Sequence, residues 1–293
     1  MKKNNQSLKR LPKYLLKKVE LGGETFKLKK LLRSLEVSTV CEEALCPNIT
    51  ECFKAGELTF MLMGSICSRN CGFCGVTSGI PSPLDLEEPE KISDAAERLK
   101  LKYVVLTSVT RDDLPDGGAG HFAACIRKLK DRIPGVGVEV LIPDFQGDRE
   151  ALGVVLRENP EVLAHNLETV KRIYHQARAG SNYHRSLEVL GSAAKIRPDI
   201  PVKSGFMVGL GETDAEIEEL MRDIRATGCT MLTIGHYLPP TRKNIPLVNL
   251  VPPEKFEEYR DRALKIGFKS VSSGIFVRSS YHAREHWMNW KRD

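Results

Sequence analysis

The chain has 293 residues, 41% hydrophobic and 28% charged, the balance of a globular protein able to bury a sizeable core. No run approaches the roughly 18–20 apolar residues of a membrane-spanning helix, and the opening MKKNNQSLKR lacks the apolar stretch of a secretory signal. The net charge of +6 is lopsided, because residues 1–33 hold eleven Lys/Arg against Glu20 and Glu24, +9, which leaves −3 for the rest. Such an arm attracts an anionic partner. Without interleaved aromatics an acidic protein suits it better than nucleic acid, and a merely solvated arm is the plain alternative.

Residues 1–57 show no regular alternation and read as an N-terminal extension. From residue 58 onward, strand-like apolar runs at 58–64, 102–109, 136–143, 161–168, 202–209, 229–238 and 268–277 alternate with helical stretches. In 121–130, Phe122, Cys125, Ile126 and Leu129 recur at helical spacing. In 214–226, Ile217, Leu220, Met221 and Ile224 do the same, behind a Thr213/Glu216 capping box. Cys125 therefore belongs to a core stripe, and Cys229, at the start of a strand, reads the same way; Met61, Met63 and Met207 are core residues of strands. The alternation predicts an α/β fold, a partial (β/α)6-type TIM barrel over 58–277 flanked by the extensions 1–57 and 278–293. A doubly wound open sheet is the alternative. Either way the chemistry belongs at the C-terminal ends of the strands.

Six of the eight cysteines crowd into residues 41–74. With no secretory signal, metal ligation is a better reading than a disulfide framework. Cys67, Cys71 and Cys74 follow the first strand in a loop containing Gly64, Gly72 and Gly75. Three thiolates from one tight loop can hold three irons of a cubane and leave the fourth open, while glycines let backbone N–H groups approach the sulfides. A zinc knuckle would ask for paired CxxC units or histidines. Cys41, Cys46 and Cys52 form a second triplet whose spacing fits no common zinc pattern.

The Cys-x3-Cys-x2-Cys loop, with Phe73 inside it, resembles the signature of the radical S-adenosylmethionine superfamily. The added upstream triplet narrows the likeness to lipoyl synthases. LPKYLLKK (11–18), TFMLMGSICSRNCGFCGV (59–76), TSVTRDDLPDGGA (107–119), HNLETV (165–170), SGFMVGLGET (204–213) and RSSYHA (278–283) carry it over nearly the whole chain. The resemblance implies two [4Fe-4S] clusters and S-adenosylmethionine, with Cys67, Cys71 and Cys74 holding the cluster that generates the radical. It also implies an auxiliary, sulfur-donating cluster on Cys41, Cys46, Cys52 and, from RSSY, Ser280. An alkoxide holds iron less firmly than thiolate does, which suits a cluster that is dismantled. Thr107 and Ser108 correspond to the family's contact with the cofactor's methionine end, and Gly209 and Glu212 to its element beside adenine and ribose. Asn166 and Glu168, closing another strand, are placed to hold ribose hydroxyls.

The implied activity is insertion of two sulfur atoms at C6 and C8 of an octanoyl-lysine on a carrier: a lipoyl domain of a 2-oxoacid dehydrogenase, or the glycine-cleavage carrier. A cytoplasmic enzyme is implied, with a ferredoxin or flavodoxin as electron donor and neither nucleic acid nor membrane as partner. The rival readings are a methylthiotransferase-like enzyme, for which no RNA-binding module is visible, and a non-catalytic iron–sulfur electron carrier, which would want fully cysteine-ligated clusters. Arg111, Asp112 and Asp113 read as a solvated loop or as site-lining residues. His165, His236 and His282 read as hydrogen-bonding residues, and Lys243 and Asn244 receive no role.

Overall fold

The computed structural model of the protein describes residues 12–17 and 23–292, so Lys2, Lys3, Lys9, Arg10 and Lys18 of the basic arm lie outside the described residues. Ahead of the sheet stand α1 (Gly23–Ser34), α2 (Val40–Glu43) and α3 (Ile49–Lys54). The seven apolar runs each yield a strand: β1 (Thr59–Leu62), β2 (Tyr103–Ser108), β3 (Gly137–Leu141), β4 (Val162–Ala164), β5 (Val202–Val208), β6 (Met231–His236) and β7 (Ser270–Gly274). They form one parallel sheet in sequential order from β1 to β7. The crossovers contain α4 (Glu88–Arg98), α5 (Ala119–Arg132), α6 (Arg149–Arg157), α7 (Lys171–Ala177) with α8 (Tyr183–Ile196), α9 (Asp214–Ala226) and α10 (Pro253–Ile266). β1 and β7 remain the two edges, so the barrel is partial, as the alternation predicts.

Local chemistry explains these elements. The β6 residues are buried throughout, as a parallel strand covered on both faces requires. Thr213 and Glu216 close the predicted capping box on α9, whose Ile217, Leu220, Met221 and Ile224 are all buried. Asp148 accepts from the amides of Glu150 and Ala151 (2.8 and 3.2 Å) and starts α6. On α5 the stripe Phe122, Cys125, Ile126 and Leu129 is completely buried, each large side chain contributing about 2–3 kcal/mol by leaving water. Cys229 is likewise a fully buried thiol. The run 161–168 is regular strand only over Val162–Ala164; beyond it the chain stays beside β5, His165 N–H donating to Lys203 O (3.0 Å) and Glu168, at a φ of 68°, bridging Phe206.

The open edges are covered by the two extensions. Ser38 accepts from the amide of Met61 (2.9 Å) and Thr39 bridges antiparallel to Phe60, so the N-terminal extension runs along β1. Beyond β7 the chain crosses the strand ends and then forms α11 (Ala283–Trp290). α11 packs Trp287 against Tyr103 (ring centroids 5.5 Å apart) at the N-terminal end of β2. At that lower end Lys203 pairs with Glu139 (2.7 Å), both sealed from solvent, and the Tyr103 hydroxyl donates to Glu139 (3.1 Å).

Candidate active site

The later cysteine triplet occupies the loop that leaves β1. Met63 and Gly64 turn the chain with φ of 67° and 88°. Ile66–Cys67 then pairs with Thr77–Ser78, bringing the loop's start beside its end. The sulfurs face amide donors: Cys67 Sγ accepts from Arg69 (3.4 Å) and Thr110 (3.3 Å), and Cys74 Sγ from Val76 (3.4 Å). The glycines sit where a side chain would crowd the neighbouring backbone. A Cβ on Gly72 would lie 3.2 Å from Gln176 O, and one on Gly75 would lie 3.2 Å from Ala44 O.

Two polar side chains clamp this loop, and the sequence reading assigned neither. Arg69, 7% exposed, donates to both oxygens of Asp112 (2.6 and 2.7 Å), to Asp144 (2.7 Å) and to Ser181 (2.9 Å). Asp144 is fully buried; burial raises its pKa, but the Arg69 guanidinium outweighs that and holds it well below the carboxylate range. Asn244 donates to Gly72 O (3.2 Å) and Cys74 O (2.7 Å). Arg111 pairs with Asp113 (2.8 Å), so the charged trio splits between an internal ion pair and the Arg69 clamp.

The earlier triplet is spread over α2, a tight turn and α3: Cys41, Cys46 and Cys52. The turn is held by the amide of Cys46 donating to Cys41 O (3.1 Å), with Leu45 at φ 53°. The flanking residues reach for the C-terminal extension. Asn48 Nδ2 donates to Phe276 O (2.6 Å), the Tyr281 hydroxyl donates to Glu51 (2.8 Å), and His282 Nδ1 lies 3.3 Å from Glu57. Lys17 binds Asn48 (2.6 Å) and Glu51 and lies over the rings of Phe276 and Tyr281. Ser280 is thereby tethered on both sides to the segment that carries Cys46 and Cys52.

One cavity of about 960 Å³ borders both sets: its lining includes Cys41, Cys46, Cys52 and Ser280 as well as Cys74. Thr107, Ser108, Asn166 and Glu168 also line it, whereas Cys67, Cys71, Gly209 and Glu212 do not. Glu212 instead accepts from the amide of Gly209 (2.9 Å), shaping the turn after β5. Inside, Thr107 Oγ1 donates to Leu141 O (3.0 Å), Ser279 Oγ to Asn166 (3.0 Å), and Asn166 Nδ2 to Glu168 (2.9 Å). Burial pushes the Glu168 carboxyl up, and the Arg178 guanidinium opposes it.

The residues fit iron–sulfur clusters. Burial pushes the Cys41 and Cys52 thiols up to about 12 and Cys74 to about 11, and raises Cys71 as well. Neighbouring cysteines add to the upward shift of Cys52 and of Cys74. Iron supplies the positive charge such thiolates lack. Among the described residues no three His, Cys, Asp or Glu side chains gather tightly enough for a single metal ion. A cubane does not ask for that, because each thiolate holds a different iron. For the cofactor, Ser108 Oγ and Arg178 Nε are buried without a partner, in residues that line the cavity.

The histidines stay outside this chemistry. His165 donates from Nδ1 to Ile142 O (2.9 Å), with Nε2 2.9 Å from Ser186 Oγ, and burial lowers it to about 4. His236 donates to Tyr237 O (2.7 Å) and accepts from Val251 (3.1 Å).

A family model described as the radical SAM superfamily matches residues 61–224, and one described as the N-terminal domain of lipoyl synthase of that family matches residues 1–46. A lipoyl synthase of Syntrophotalea carbinolica is 53% identical over 276 residues, covering 93% of this chain and 88% of the relative. One from Caldanaerobacter subterraneus subsp. tengcongensis is 50% identical over 274 residues, covering 94% and 96%. Among solved structures, the [FeFe]-hydrogenase maturase HydG from Carboxydothermus hydrogenoformans aligns with a TM-score of 0.60 at 13% identity, covering 78% of this chain and 56% of that one. Streptococcus suis SuiB bound to S-adenosylmethionine aligns at 0.56 and 13%, covering 84% and 59%. At such identities these two speak for the fold alone.

Proposed function

Because the chain belongs to the lipoyl synthase family of radical S-adenosylmethionine enzymes, we propose that its two cysteine sets do unequal work on one substrate. The reaction inserts two sulfur atoms, at C6 and C8 of a carrier-bound octanoyl-lysine, and uses two [4Fe-4S] clusters and S-adenosylmethionine. When bound, these groups supply the one-electron cleavage that opens unactivated C–H bonds, and the sulfur itself.

In this reading Cys67, Cys71 and Cys74 hold the cluster whose fourth iron is left to the cofactor. Thr107, Ser108, Asn166 and Glu168 orient that cofactor from inside the cavity, and Gly209 and Glu212 fix the turn beside it. Cys41, Cys46, Cys52 and Ser280 hold the cluster that gives up sulfur. Residues 58–277 are the barrel, and the extensions 1–57 and 278–293 carry the donor's ligands around it. The observation that carries the reading is the single cavity bordered by Cys74 and by all four donor ligands. A substrate carbon inside it can meet both sets without leaving.

The carriers are lipoyl domains of 2-oxoacid dehydrogenases and the glycine-cleavage carrier, and a ferredoxin or flavodoxin is proposed as the electron donor. A cytoplasmic setting is supported by cysteines that are free throughout, and no nucleic acid or membrane is needed. No described helix is long and apolar enough to cross a membrane. Anaerobic reconstitution followed by turnover with an octanoylated carrier domain tests the reading. Two clusters predict about eight irons per chain and a product bearing two added sulfurs. A reduced, iron-loaded protein that yields no 5′-deoxyadenosine would sink it.

A further inference from the structure

We propose that the octanoyl-lysine arm enters from the N-terminal end of the strands, through a mouth ringed by Lys100, Lys102 and Arg284, and that an acidic surface of the carrier docks on that ring. The proposal rests on the lipoyl synthase reading above. The interior of a closed β/α barrel is ordinarily packed with side chains. Here the cavity runs the length of β2, from Lys102 and Tyr103 at its lower end to Ser108 at its upper end. The exposed residues among its lining fall into two separated groups. Leu45 and Pro239 stand near the cluster loop, where Gly75 abuts Ala44 and Pro240. Lys54, Ala55, Gly56, Lys100, Lys102 and Arg284 stand at the opposite end, on the end of α3 and the turn after it, the α4–β2 turn and the first turn of α11.

That lower mouth is cationic. The carboxylate nearest it in the lining, Glu57, is already engaged with His282. Among the described residues Lys100, Lys102 and Arg284 make no ion pair, although surface lysines and arginines elsewhere on the barrel helices are widely paired. Lys100 moreover holds a left-handed backbone, φ 52°, at the position after a helix where glycine or asparagine is usual.

The dimensions agree. The six residues of β2 span about 20 Å at ~3.3 Å each. An octanoyl-lysine arm, advancing ~1.2 Å per bond like extended backbone, reaches about 16 Å. An arm whose Cα rests at the lower mouth therefore brings its last carbons to the level of Thr107 and Ser108, leaving the cluster-loop end to the cofactor. The arm itself is an apolar chain with a neutral amide, so the cations have no partner within it. What they can meet is the surface from which the arm hangs, and that surface must be acidic.

The test compares wild type with the Lys100→Glu/Lys102→Glu/Arg284→Glu variant, both iron-loaded and unreduced. The affinity for an octanoylated lipoyl domain is expected to fall at least tenfold in the variant. Wild-type binding should weaken steadily between about 0.05 and 0.5 M salt. Reductive cleavage of S-adenosylmethionine and the KM for a short uncharged octanoyl-lysine peptide should stay at wild-type values. Unchanged affinity for the domain, or indifference to salt, overturns the proposal. If wild type converts neither the octanoylated domain nor the peptide, the lipoyl synthase reading itself has failed.

Discussion

Arg69 concentrates more of the site's architecture than any cysteine, since one guanidinium ties the cluster loop to the loops after β2 and β3 and to the start of α8. Removing it leaves Asp144 buried with Arg185 as its remaining cation. Arg69→Met is expected to cost about 3 kcal/mol in urea unfolding and to depress S-adenosylmethionine cleavage. Arg69→Lys should recover part of the stability, because charge is kept but the fork geometry is lost. The sign of the pH dependence follows from Asp144. Its folded pKa is depressed, so its contribution is complete above the unfolded value of about 4 and is lost as pH falls through the folded one. Asp144→Asn should therefore flatten the acid limb of the stability curve below pH ~4. Neither clamp was legible beforehand. Asn244 stands 170 residues from the carbonyl of Cys74 that it holds, and a lone polar residue in a proline-rich loop carries no spacing signal. The cysteines were legible because the ligand role proposed for them asks for short, fixed spacings.

At the scale of elements, the two extensions form a clasp. Lys17, Asn48 and Glu51 tie the segment around Cys46 and Cys52 to Phe276 and Tyr281, on either side of Ser280. Asn48→Ala is expected to lose the donor cluster selectively. Iron should fall from about eight towards four per chain, while S-adenosylmethionine cleavage persists. Iron analysis beside a cleavage assay reads both. The alternation of apolar runs and helices was legible because parallel strands buried on both faces leave continuous apolar signatures. The contacts that clasp the two extensions together were not, because they join residues more than two hundred positions apart, as for Asn48 and Phe276. α11 adds a pH effect of its own. Burial lowers His286 to about 3, as it lowers His165 to about 4. The unfolded chain takes up these protons below about pH 6.5 while the folded one refuses them, so stability falls by up to about 1.4 kcal/mol per pH unit for each histidine. Urea unfolding of the cluster-free protein between pH 7 and 5 checks the slope, and His165→Asn should reduce it.

At the scale of the whole molecule, the partial barrel provides a lining and the extensions complete it. In the division proposed above, the sulfur-donor ligands come from both ends of the chain, while the radical-generating triplet comes from the first strand's own loop. The most direct measurement of this division is the Cys41→Ala/Cys46→Ala/Cys52→Ala variant, reconstituted anaerobically and supplied with octanoylated carrier domain. It should retain about four irons, still cleave S-adenosylmethionine to 5′-deoxyadenosine, and insert no sulfur. Loss of that cleavage with the upstream triplet, or sulfur insertion without it, would contradict the assignment.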